Sequence, residues 1–342
     1  MEQGEEPQSI VFDQFTGLRN TVARSRLGPS ELVTGRNIDL DNTNQPRRRR
    51  GYERVATGSF HSLTTVGDRT LAVRDGDLVR VYPEYSITTL RSDLGPDRVV
   101  FVDVAGTTYF SSRASSGKIL PDDTVQDWGM VTSAGEWHSP VVNPTSTLPD
   151  LNGKLIGPPP MAEHLTLYNG RIYLAHDNVL WMTELFLYDY VDRTRNFLQF
   201  ESKITGLIAM ADGIYVGTAT AVWFLRGSVG QMQRTRMTPE GMVEHTATTV
   251  PAEALPLQDP TLGEVAMFVS PSGVCAGLAG GTCFNLTRDK FELPDAVRGA
   301  AMHRREDGTD YYIGALDSAG TPTSAARIGD YVDAEIRRFA GA

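Results

Sequence analysis

The sequence has no long apolar run. No stretch approaches the roughly 18 consecutive apolar residues that a membrane helix requires, so we expect no membrane span. The segment from Met1 to Glu6 contains three acidic side chains, whereas the leading region of a secretory signal peptide is basic. We therefore expect neither membrane insertion nor classical secretion.

Cysteine is scarce. The 342 residues include two cysteines, Cys275 and Cys283, too few for a disulfide scaffold or a four-cysteine zinc site. This number suits a reducing compartment. The two thiols either face each other across a hairpin and pair when oxidised, or act as small apolar fillers in buried strands. Their positions in the repeat described below favour the second interpretation.

Motifs of catalysis and cofactor binding are also missing. The sequence contains no Gly-x-Ser-x-Gly elbow, no phosphate-binding loop and no dinucleotide fingerprint that a helix follows. No two histidines have the spacing of a metal site, which predicts surface or strand-end positions for all six: His61, His138, His164, His176, His245 and His303. We expect no catalytic residue, no cofactor and no metal.

Positive charge is in deficit. The net charge is −10 and the pI is about 5.1, so a broad attraction to nucleic acid or anionic lipid is not expected, and any contact with nucleic acid must be local. The exception is a run of four arginines, Arg47, Arg48, Arg49 and Arg50. The run is a candidate contact for a neighbouring subunit or for DNA phosphate. The alternative is a hairpin arm that is simply solvated.

Glycine and proline are plentiful, with 33 and 19 residues, which indicates many tight turns and an all-β chain. A repeated unit joins a turn glycine to an apolar segment centred on tyrosine, with tryptophan eight residues later. The tyrosine and tryptophan positions are occupied by Tyr173 with Trp181 and by Tyr215 with Trp223 in the two clear copies. In a weaker copy they are occupied by Cys275 with Cys283. We predict that these side chains pack between repeats, the alternative for the tryptophans being a ligand-stacking platform.

The spacing of the repeat predicts the fold. The turn glycines are Gly67, Gly106, Gly170, Gly213, Gly273 and Gly308. Successive glycines are 39, 64, 43, 60 and 35 residues apart, and the short intervals match a propeller blade of roughly 40 to 50 residues. We predict an all-β propeller of about six blades, within a range of five to seven. A β-sandwich or a β-helix is the alternative, but neither predicts a repeat of this length.

The predicted propeller accounts for most of the chain. Residues 1–58 form an extended N-terminal arm, and residues 59–316 form the propeller, with loop insertions near 121–160 and 227–260. Residues 317–342 supply a closing strand or a tail. Propellers can carry glycosidases and lyases, so the paired carboxylates Asp122 with Asp123 and Asp39 with Asp41 are the candidates for catalysis. Acidic residues are, however, ordinary in turns.

The N-terminal segment has an order of elements that resembles a known family. Phe12 to Asn20 leads to Gly35 to Asn42 and closes with Arg47 to Tyr52. This pattern is similar to the start of tailed-bacteriophage structural proteins, in which a Phe-x-Gly-Leu-Asn-like segment precedes an Asn-Val-Asp-like strand and an Arg-Arg-x-Gly turn. Here Arg19 precedes the asparagine and Ile38 replaces the valine, so the likeness is one of pattern.

The resemblance implies a virion tail component, similar to nozzle or tail-hub β-propellers, made in the host cytoplasm. It implies a homo-oligomeric ring such as a hexamer, neighbouring tail or portal-adaptor proteins as partners, sequence-independent passage of DNA and no catalysis. The alternatives are a tail-associated propeller enzyme that acts on polysaccharide and a general propeller interaction scaffold. The enzyme predicts carboxylates, histidines or aromatics clustered at one mouth of the propeller.

Overall fold

The computed structural model describes residues 14–35, 38–40, 43–48, 51, 53–129, 141–142, 154–255, 263–288, 290, 293, 295–306, 308–318 and 332–337. Regular structure in this part of the chain is almost entirely β-strand, with short 3-10 turns at Arg24–Arg26 and Ala252–Ala254. No helix within these ranges is long and apolar enough to cross a membrane.

The N-terminal arm contains four short strands in two pairs. They are β1 (Gly17–Leu18), β2 (Glu31–Leu32), β3 (Ile38–Leu40) and β4 (Pro46–Arg48). Strand β1 pairs with β2 in parallel, and β3 pairs with β4 as an antiparallel hairpin. The arm therefore has β-structure of its own before the propeller begins.

The first two sheets are regular four-stranded antiparallel meanders. The first contains β5 (Phe60–Val66), β6 (Arg69–Arg74), β7 (Asp77–Val81) and β8 (Ile87–Arg91). The second contains β9 (Val100–Val104), β10 (Thr107–Ser111), β11 (Ser116–Ile119) and β12 (Val125–Gln126). Gly67 and Gly106 have positive φ in the hairpin turns that open these sheets, a conformation that glycine adopts without strain.

A small three-stranded sheet accompanies the third blade. It contains β13 (Val141–Val142), β14 (Leu155–Gly157) and β18 (Val191–Asp192). The third blade itself contains β15 (His164–Tyr168), β16 (Arg171–His176), β17 (Val179–Met182) and β19 (Phe197–Gln199). The predicted insertion near 121–160 thus includes β12, β13 and β14, and its residues 130–140 and 143–153 lie outside the described residues.

The last three sheets complete the series. The fourth contains β20 (Ile204–Met210), β21 (Gly213–Thr218), β22 (Val222–Arg226) and β23 (Gln233–Thr238). The fifth contains β24 (Thr248–Pro251), β25 (Glu264–Ser270), β26 (Gly273–Leu278) and β27 (Thr282–Asn285). The sixth contains β28 (Ala296–Glu306), β29 (Thr309–Ser318) and β30 (Val332–Arg337). The predicted insertion near 227–260 therefore includes β23 and β24.

The chain is an all-β propeller of six blades, which confirms the predicted fold class. The first strands of consecutive sheets lie beside one another, from β5 and β9 through β15 and β20, and β24 lies beside β28. This adjacency places one edge of each sheet at a common axis. Residues 332–337, within the segment predicted as a closing strand or tail, form the third strand of the sixth sheet.

Five apolar clusters hold consecutive blades together. Both faces of a blade are covered, so the second strands are mostly buried, and β21 is buried along its whole length. In blade order, a representative buried pair from each cluster is Leu71 with Phe110, Tyr109 with Ile172, Leu180 with Ile214, Tyr215 with Phe268, and Val274 with Tyr312. No comparable cluster joins the sixth blade to the first among the described residues.

The arm lies against the sixth blade. The side chain of Arg47 in β4 donates a hydrogen bond to the hydroxyl of Tyr311 in β29, with 3.4 Å between Nη2 and the oxygen. Tyr311 is fully buried, and the guanidinium of Arg304 lies over its ring at 5.1 Å. The backbone N–H of Asn20 also donates to the carbonyl of Lys290 at 3.0 Å. The arm thus contacts the chain's own propeller near the end of the blade series.

Candidate functional site

Charged residues and histidines from five different blades meet at the axis. We call them the axial cluster: His61, Arg98, Glu163, His164, Lys203, Glu244 and His245. His164 of the third blade contacts Glu244, which lies four residues before the fifth blade begins at Thr248. Arg98, which precedes the second blade, hydrogen-bonds to Gly299 of the sixth. Blades that are not neighbours in the series can meet only at the axis. These residues lie at the start of a first strand or in the segment that leads into one, so the cluster occupies one mouth of the propeller.

Glu244 is the centre of the cluster's ionic contacts. Lys203 Nζ lies 2.7 Å from Glu244 Oε1, and His164 Nε2 lies 3.7 Å from the same oxygen, a distance for an electrostatic contact rather than a hydrogen bond. Burial alone would raise the pKa of Glu244. The adjacent His164 and the Lys203 ammonium outweigh burial and lower that pKa to about 2. Glu244 is therefore ionised at neutral pH.

Glu163 provides a second buried carboxylate. Its Oε1 accepts a hydrogen bond from Arg113 Nε, and its Oε2 lies 3.4 Å from Lys203 Nζ. Arg113 also reaches Asp177 at 3.1 Å, at the exposed rim of the mouth. Lys203 therefore bridges the two carboxylates, and the buried negative charge is held by cations that lie closer to solvent.

Two histidine rings pack together beside these carboxylates. The ring centres of His164 and His245 are 4.9 Å apart. Burial, followed by the nearby His164 and Arg98, lowers the pKa of His245 to about 3, so this imidazole is uncharged at neutral pH. The backbone of His245 has φ of +63°, a conformation that non-glycine residues seldom adopt and that often accompanies function.

His61 and Arg98 complete the cluster from the side of the first two blades. The Nδ1 of His61 lies 2.9 Å from the hydroxyl of Ser62. Burial is the main cause that lowers the pKa of His61, and the positive charge of Arg98 lowers it further. Arg98 Nη1 donates to the carbonyl of Gly299 at 2.9 Å, and no carboxylate within the described residues lies within 4 Å of this guanidinium.

The chemistry available at this mouth is that of weak acids, weak bases and hydrogen bonds. Neutral imidazoles next to an ionised carboxylate are the usual components of general acid–base sites. Within the described ranges, no three His, Cys, Asp or Glu side chains are grouped so that they could hold a metal ion. The arrangement is suited to binding a polar ligand and to moving a proton.

The repeat residues lie at the junctions between blades. Tyr173 and Tyr215 are buried, in the third–fourth and fourth–fifth clusters. Trp181 and Trp223 are half-buried. The ring of Trp181 lies 5.4 Å from that of Phe197 at an angle of 43°, and the guanidinium of Arg234 lies over Trp223 at 5.1 Å. None of these four side chains is part of the axial cluster, and their contacts are those of packing.

The two cysteines also lie at a blade junction. Cys275 is buried and Cys283 is half-buried, and both pack in the fourth–fifth cluster. Both thiols are free. Cys275 stands opposite Asn285 and Cys283 opposite Gly277, so the thiols are diagonal neighbours on adjacent strands.

The arginine run and the acidic pairs have separate locations. Arg47 contacts Tyr311 as described, Arg48 is exposed, and Arg49 and Arg50 lie outside the described residues. Asp123 accepts hydrogen bonds from Arg69 at 3.0 Å and Arg80 at 2.6 Å, so it joins the first blade to the second. Asp122 is an exposed turn residue that accepts a hydrogen bond from the backbone of Thr124. Asp39 is buried in the arm, and Asp41 lies outside the described residues.

Sequence reasoning did not find the axial cluster. The predicted surface or strand-end positions hold in part, since His61 and His164 lie at the starts of β5 and β15. However, His164 is buried, and His61 and His245 are half-buried at the axis. A signal was present in the repeat, because His61 and His164 each precede a turn glycine by six residues, Gly67 and Gly170. The contacts of Glu244 with the third and fourth blades depend on the closing of the propeller and leave no trace in local spacing.

Comparison with known proteins finds likeness in fold. No family model and no curated protein matches the sequence. Virginiamycin B lyase from Staphylococcus aureus has 10% identity and a TM-score of 0.45 over 76% of this chain and 84% of its own. A streptogramin B lyase has 9% identity and a TM-score of 0.46 over 81% and 82%. The N-terminal domain of Nup159 has 9% identity and a TM-score of 0.44 over 75% and 73%.

Proposed function

We propose that this chain is a structural, non-enzymatic component of a bacteriophage tail, of the nozzle or hub type. In this proposal, copies form a homo-oligomeric ring around the DNA channel and contact neighbouring tail or portal-adaptor proteins. The protein would be made in the host cytoplasm and reside in the virion. DNA passes without sequence readout, and the acidic net charge of −10 helps it slide because like charges repel.

The observation that carries the proposal is where apolar side chains are exposed. Of the eleven large exposed hydrophobic residues among those described, six belong to the arm and its connection to the propeller or to the first strands of the first and sixth blades. They are Ile38, Val55, Phe60, Leu63, Val297 and Met302. Large apolar side chains exposed on the arm and on the two terminal blades are what a contact between proteins would cover.

Exposure at the two ends of the blade series suits a head-to-tail contact. The first blade of one copy would meet the arm and sixth blade of the next, and a contact between two different surfaces generates a ring when the rotation closes. This arrangement also agrees with the lack of an apolar cluster between the sixth and first blades within the described part of one chain.

The direct test is a cryo-EM reconstruction of particles that contain this chain, at a resolution that traces strands. The proposal expects a symmetric ring of propellers about an axial channel. A lone propeller with an open axial mouth would contradict it. A double variant, Leu63→Ser with Met302→Ser, is expected to reduce incorporation into particles. Tyr85→Ser, at an exposed residue outside these surfaces, is the matched control.

The arm is tested by deletion and by charge removal. Without residues 1–55, assembly is expected to fail, and normal assembly would refute a joining role for the arm. Changing Arg47, Arg48, Arg49 and Arg50 to serine separates the two expected contacts of the run. Loss of assembly indicates a protein partner, whereas normal assembly with altered genome retention or ejection indicates DNA.

A second candidate function is a propeller enzyme that acts on polysaccharide. The axial cluster supports it, because carboxylates and histidines gathered at one mouth are what such an enzyme requires. His164, with Glu244 at 3.7 Å, would be the acid–base residue. The test is incubation with capsular polysaccharide and measurement of new chain ends. Cleavage that is lost in His164→Ala supports the enzyme, and no cleavage by the wild-type protein opposes it.

A further inference from the structure

Buried polar atoms without a hydrogen-bond partner are concentrated at the axial mouth. Nine buried side-chain nitrogen or oxygen atoms in the described residues have no such partner. Four of the nine lie in or beside the axial cluster: His61 Nε2, His164 Nε2, His176 Nδ1 and Glu163 Oε2, the last of which has the Lys203 ammonium at 3.4 Å without a hydrogen bond. An unsatisfied buried polar atom is destabilising, so this concentration indicates that the mouth is built to meet hydrogen-bonding groups from outside the chain.

His164 gives the clearest indication. Its side chain is 7% exposed, and its Nε2 has no hydrogen-bond partner. The neighbouring groups are the His245 ring and the carboxylate of Glu244, which already accepts from Lys203 at 2.7 Å. A ligand hydroxyl can either donate to or accept from an imidazole nitrogen, depending on the tautomer. His61 Nε2 offers the same capacity from the first blade.

Arg98 adds a positive charge that the cluster does not neutralise directly. Lys203 and Arg113 each contact carboxylates, whereas within the described part of the chain the guanidinium of Arg98 donates to the carbonyl of Gly299 and lies within 4 Å of no carboxylate. Its charge acts on His61 and His245 from between the blades. A guanidinium with unused N–H donors matches the planar fork of a carboxylate.

The surrounding carboxylates restrict the ligand's charge. Glu163 and Glu244 lie beside the unpartnered imidazoles, so a phosphate dianion would meet like charge. Carboxylate oxygens do accept hydrogen bonds from hydroxyl groups. The ligand that fits has one carboxylate for Arg98 and several hydroxyls for the histidines and Glu163. This is the chemistry of a uronic acid or a related acidic sugar.

We propose that the axial cluster binds an acidic sugar residue, with the sugar carboxylate on Arg98 and sugar hydroxyls on His61, His164 and Glu163. The inference uses the site of the second candidate function but requires no cleavage. It is independent of ring formation, because every residue it uses belongs to one propeller.

The test is calorimetric titration of the full-length protein with three probes. These are tetragalacturonate, its fully methyl-esterified form and inorganic phosphate. Tetragalacturonate is expected to bind at least about tenfold more tightly than the ester or phosphate, because only it combines the charge with the hydroxyls. Equal binding of acid and ester, tighter binding of phosphate, or no binding of tetragalacturonate at millimolar concentration would overturn the proposal.

Variants locate the site. Arg98→Gln is expected to weaken tetragalacturonate binding by about tenfold or more. Arg226→Gln is the matched control, because Arg226 is an exposed arginine of the fourth blade paired with Asp212. Unchanged affinity in Arg98→Gln would overturn the assignment.

A measurement on the wild-type protein keeps the proposal testable if a variant fails to fold. The imidazole NMR signals of His61 and His164 are expected to shift as tetragalacturonate is added. The signal of His303, whose Nε2 is already paired with Asp310 at 2.9 Å, is not. Binding without these shifts would place the sugar elsewhere. Sugar binding without chain cleavage would remove the enzyme candidate and leave this inference standing.

Discussion

The fourth–fifth blade junction and the axial cluster each contain a buried ring, Tyr215 and His164, but the two regions are built in opposite ways. At the junction, Tyr215 is fully buried, and its hydroxyl can donate to the carbonyl of Leu278 at 2.6 Å, with the carbonyl of Thr282 also close at 3.0 Å. At the axis, His164 is nearly as buried and its Nε2 has no hydrogen-bond partner. A buried polar atom that makes its hydrogen bond, as at the junction, favours stability. A buried polar atom without a hydrogen bond, as at the axis, costs stability and indicates a role other than stability.

The largest expected loss of stability comes from truncating a buried side chain at the fourth–fifth blade junction. Tyr215→Ala removes a fully buried ring and the hydrogen bond of its hydroxyl, so we expect the free energy of unfolding to fall by about 3–5 kcal/mol. Urea denaturation measures it. Tyr85→Ala, at a tyrosine that is 59% exposed, should change the value by less than about 0.5 kcal/mol. Similar losses in both variants would contradict the packing described.

The second test concerns Arg69, a buried arginine of which each guanidinium nitrogen donates a hydrogen bond. Arg69 is 2% exposed and donates to Asp123, to the carbonyls of Gly106 and Leu120, and to Thr108. Arg69→Ala strands these acceptors, so we expect a loss of about 3 kcal/mol in denaturation experiments. The exposed ion pair of Arg226 with Asp212 serves for comparison, and Arg226→Ala should cost less than about 1 kcal/mol. A small effect of Arg69→Ala would show that water replaces its bonds.

A smaller loss of stability is expected where Gly277 of the fifth blade lies close to the Tyr215 ring of the fourth. A Cβ added to Gly277 would lie 2.7 Å from the Tyr215 ring, so Gly277→Ala should destabilise the protein by about 1–3 kcal/mol. Gly35→Ala is the control, since a Cβ there meets nothing within 4 Å. Equal thermal stability of the two variants would mean that the junction is looser than described.

The axial cluster should make stability depend on pH. Because burial lowers the pKa of His245 to about 3, the unfolded chain takes up its proton first. Stability should therefore fall as pH drops below the ordinary histidine value of 6.5, approaching about 1.4 kcal/mol per pH unit. Glu244, with a pKa of about 2, adds to the loss below pH 4.5.

His245→Asn removes the first contribution and retains the left-handed backbone, which asparagine tolerates. Between pH 6.5 and 4.5 the urea midpoint of this variant should decline less than that of the wild-type protein. If the urea midpoints of the two proteins change with pH in parallel, His245 is not uncharged in the folded protein.

The smallest expected effect is the most informative about the axis. Replacing His164 by leucine removes an imidazole whose Nε2 has no partner, so the free energy of unfolding should change by less than about 1 kcal/mol. A loss comparable to that of Tyr215→Ala would show that His164 is structural, and the contrast between the two regions would not hold.

The fold could be predicted because its determinants are local and repeated. The glycine turns and the Tyr–Trp positions recur in sequence, and each side chain meets a junction within one or two blades. The strands within the insertion near 227–260 are harder to predict from the sequence. Strand β23, for example, is polar and largely exposed, so it lacks the apolar alternation that identifies a strand. Likewise, the turn-like Asp123 gave no sign that two arginines bind it.

By itself, the sequence determined the all-β class, the approximate number of blades and the burial of Tyr173 and Tyr215, since alternation, turns and the repeat period act over a few residues. Only the tertiary structure decided that His61, Arg98, His164 and Glu244 would meet. These residues lie up to 183 positions apart in the chain and are joined because the first strands of a propeller share one axis. Local patterns carry no record of that closure, so a site assembled from several blades becomes visible only in three dimensions.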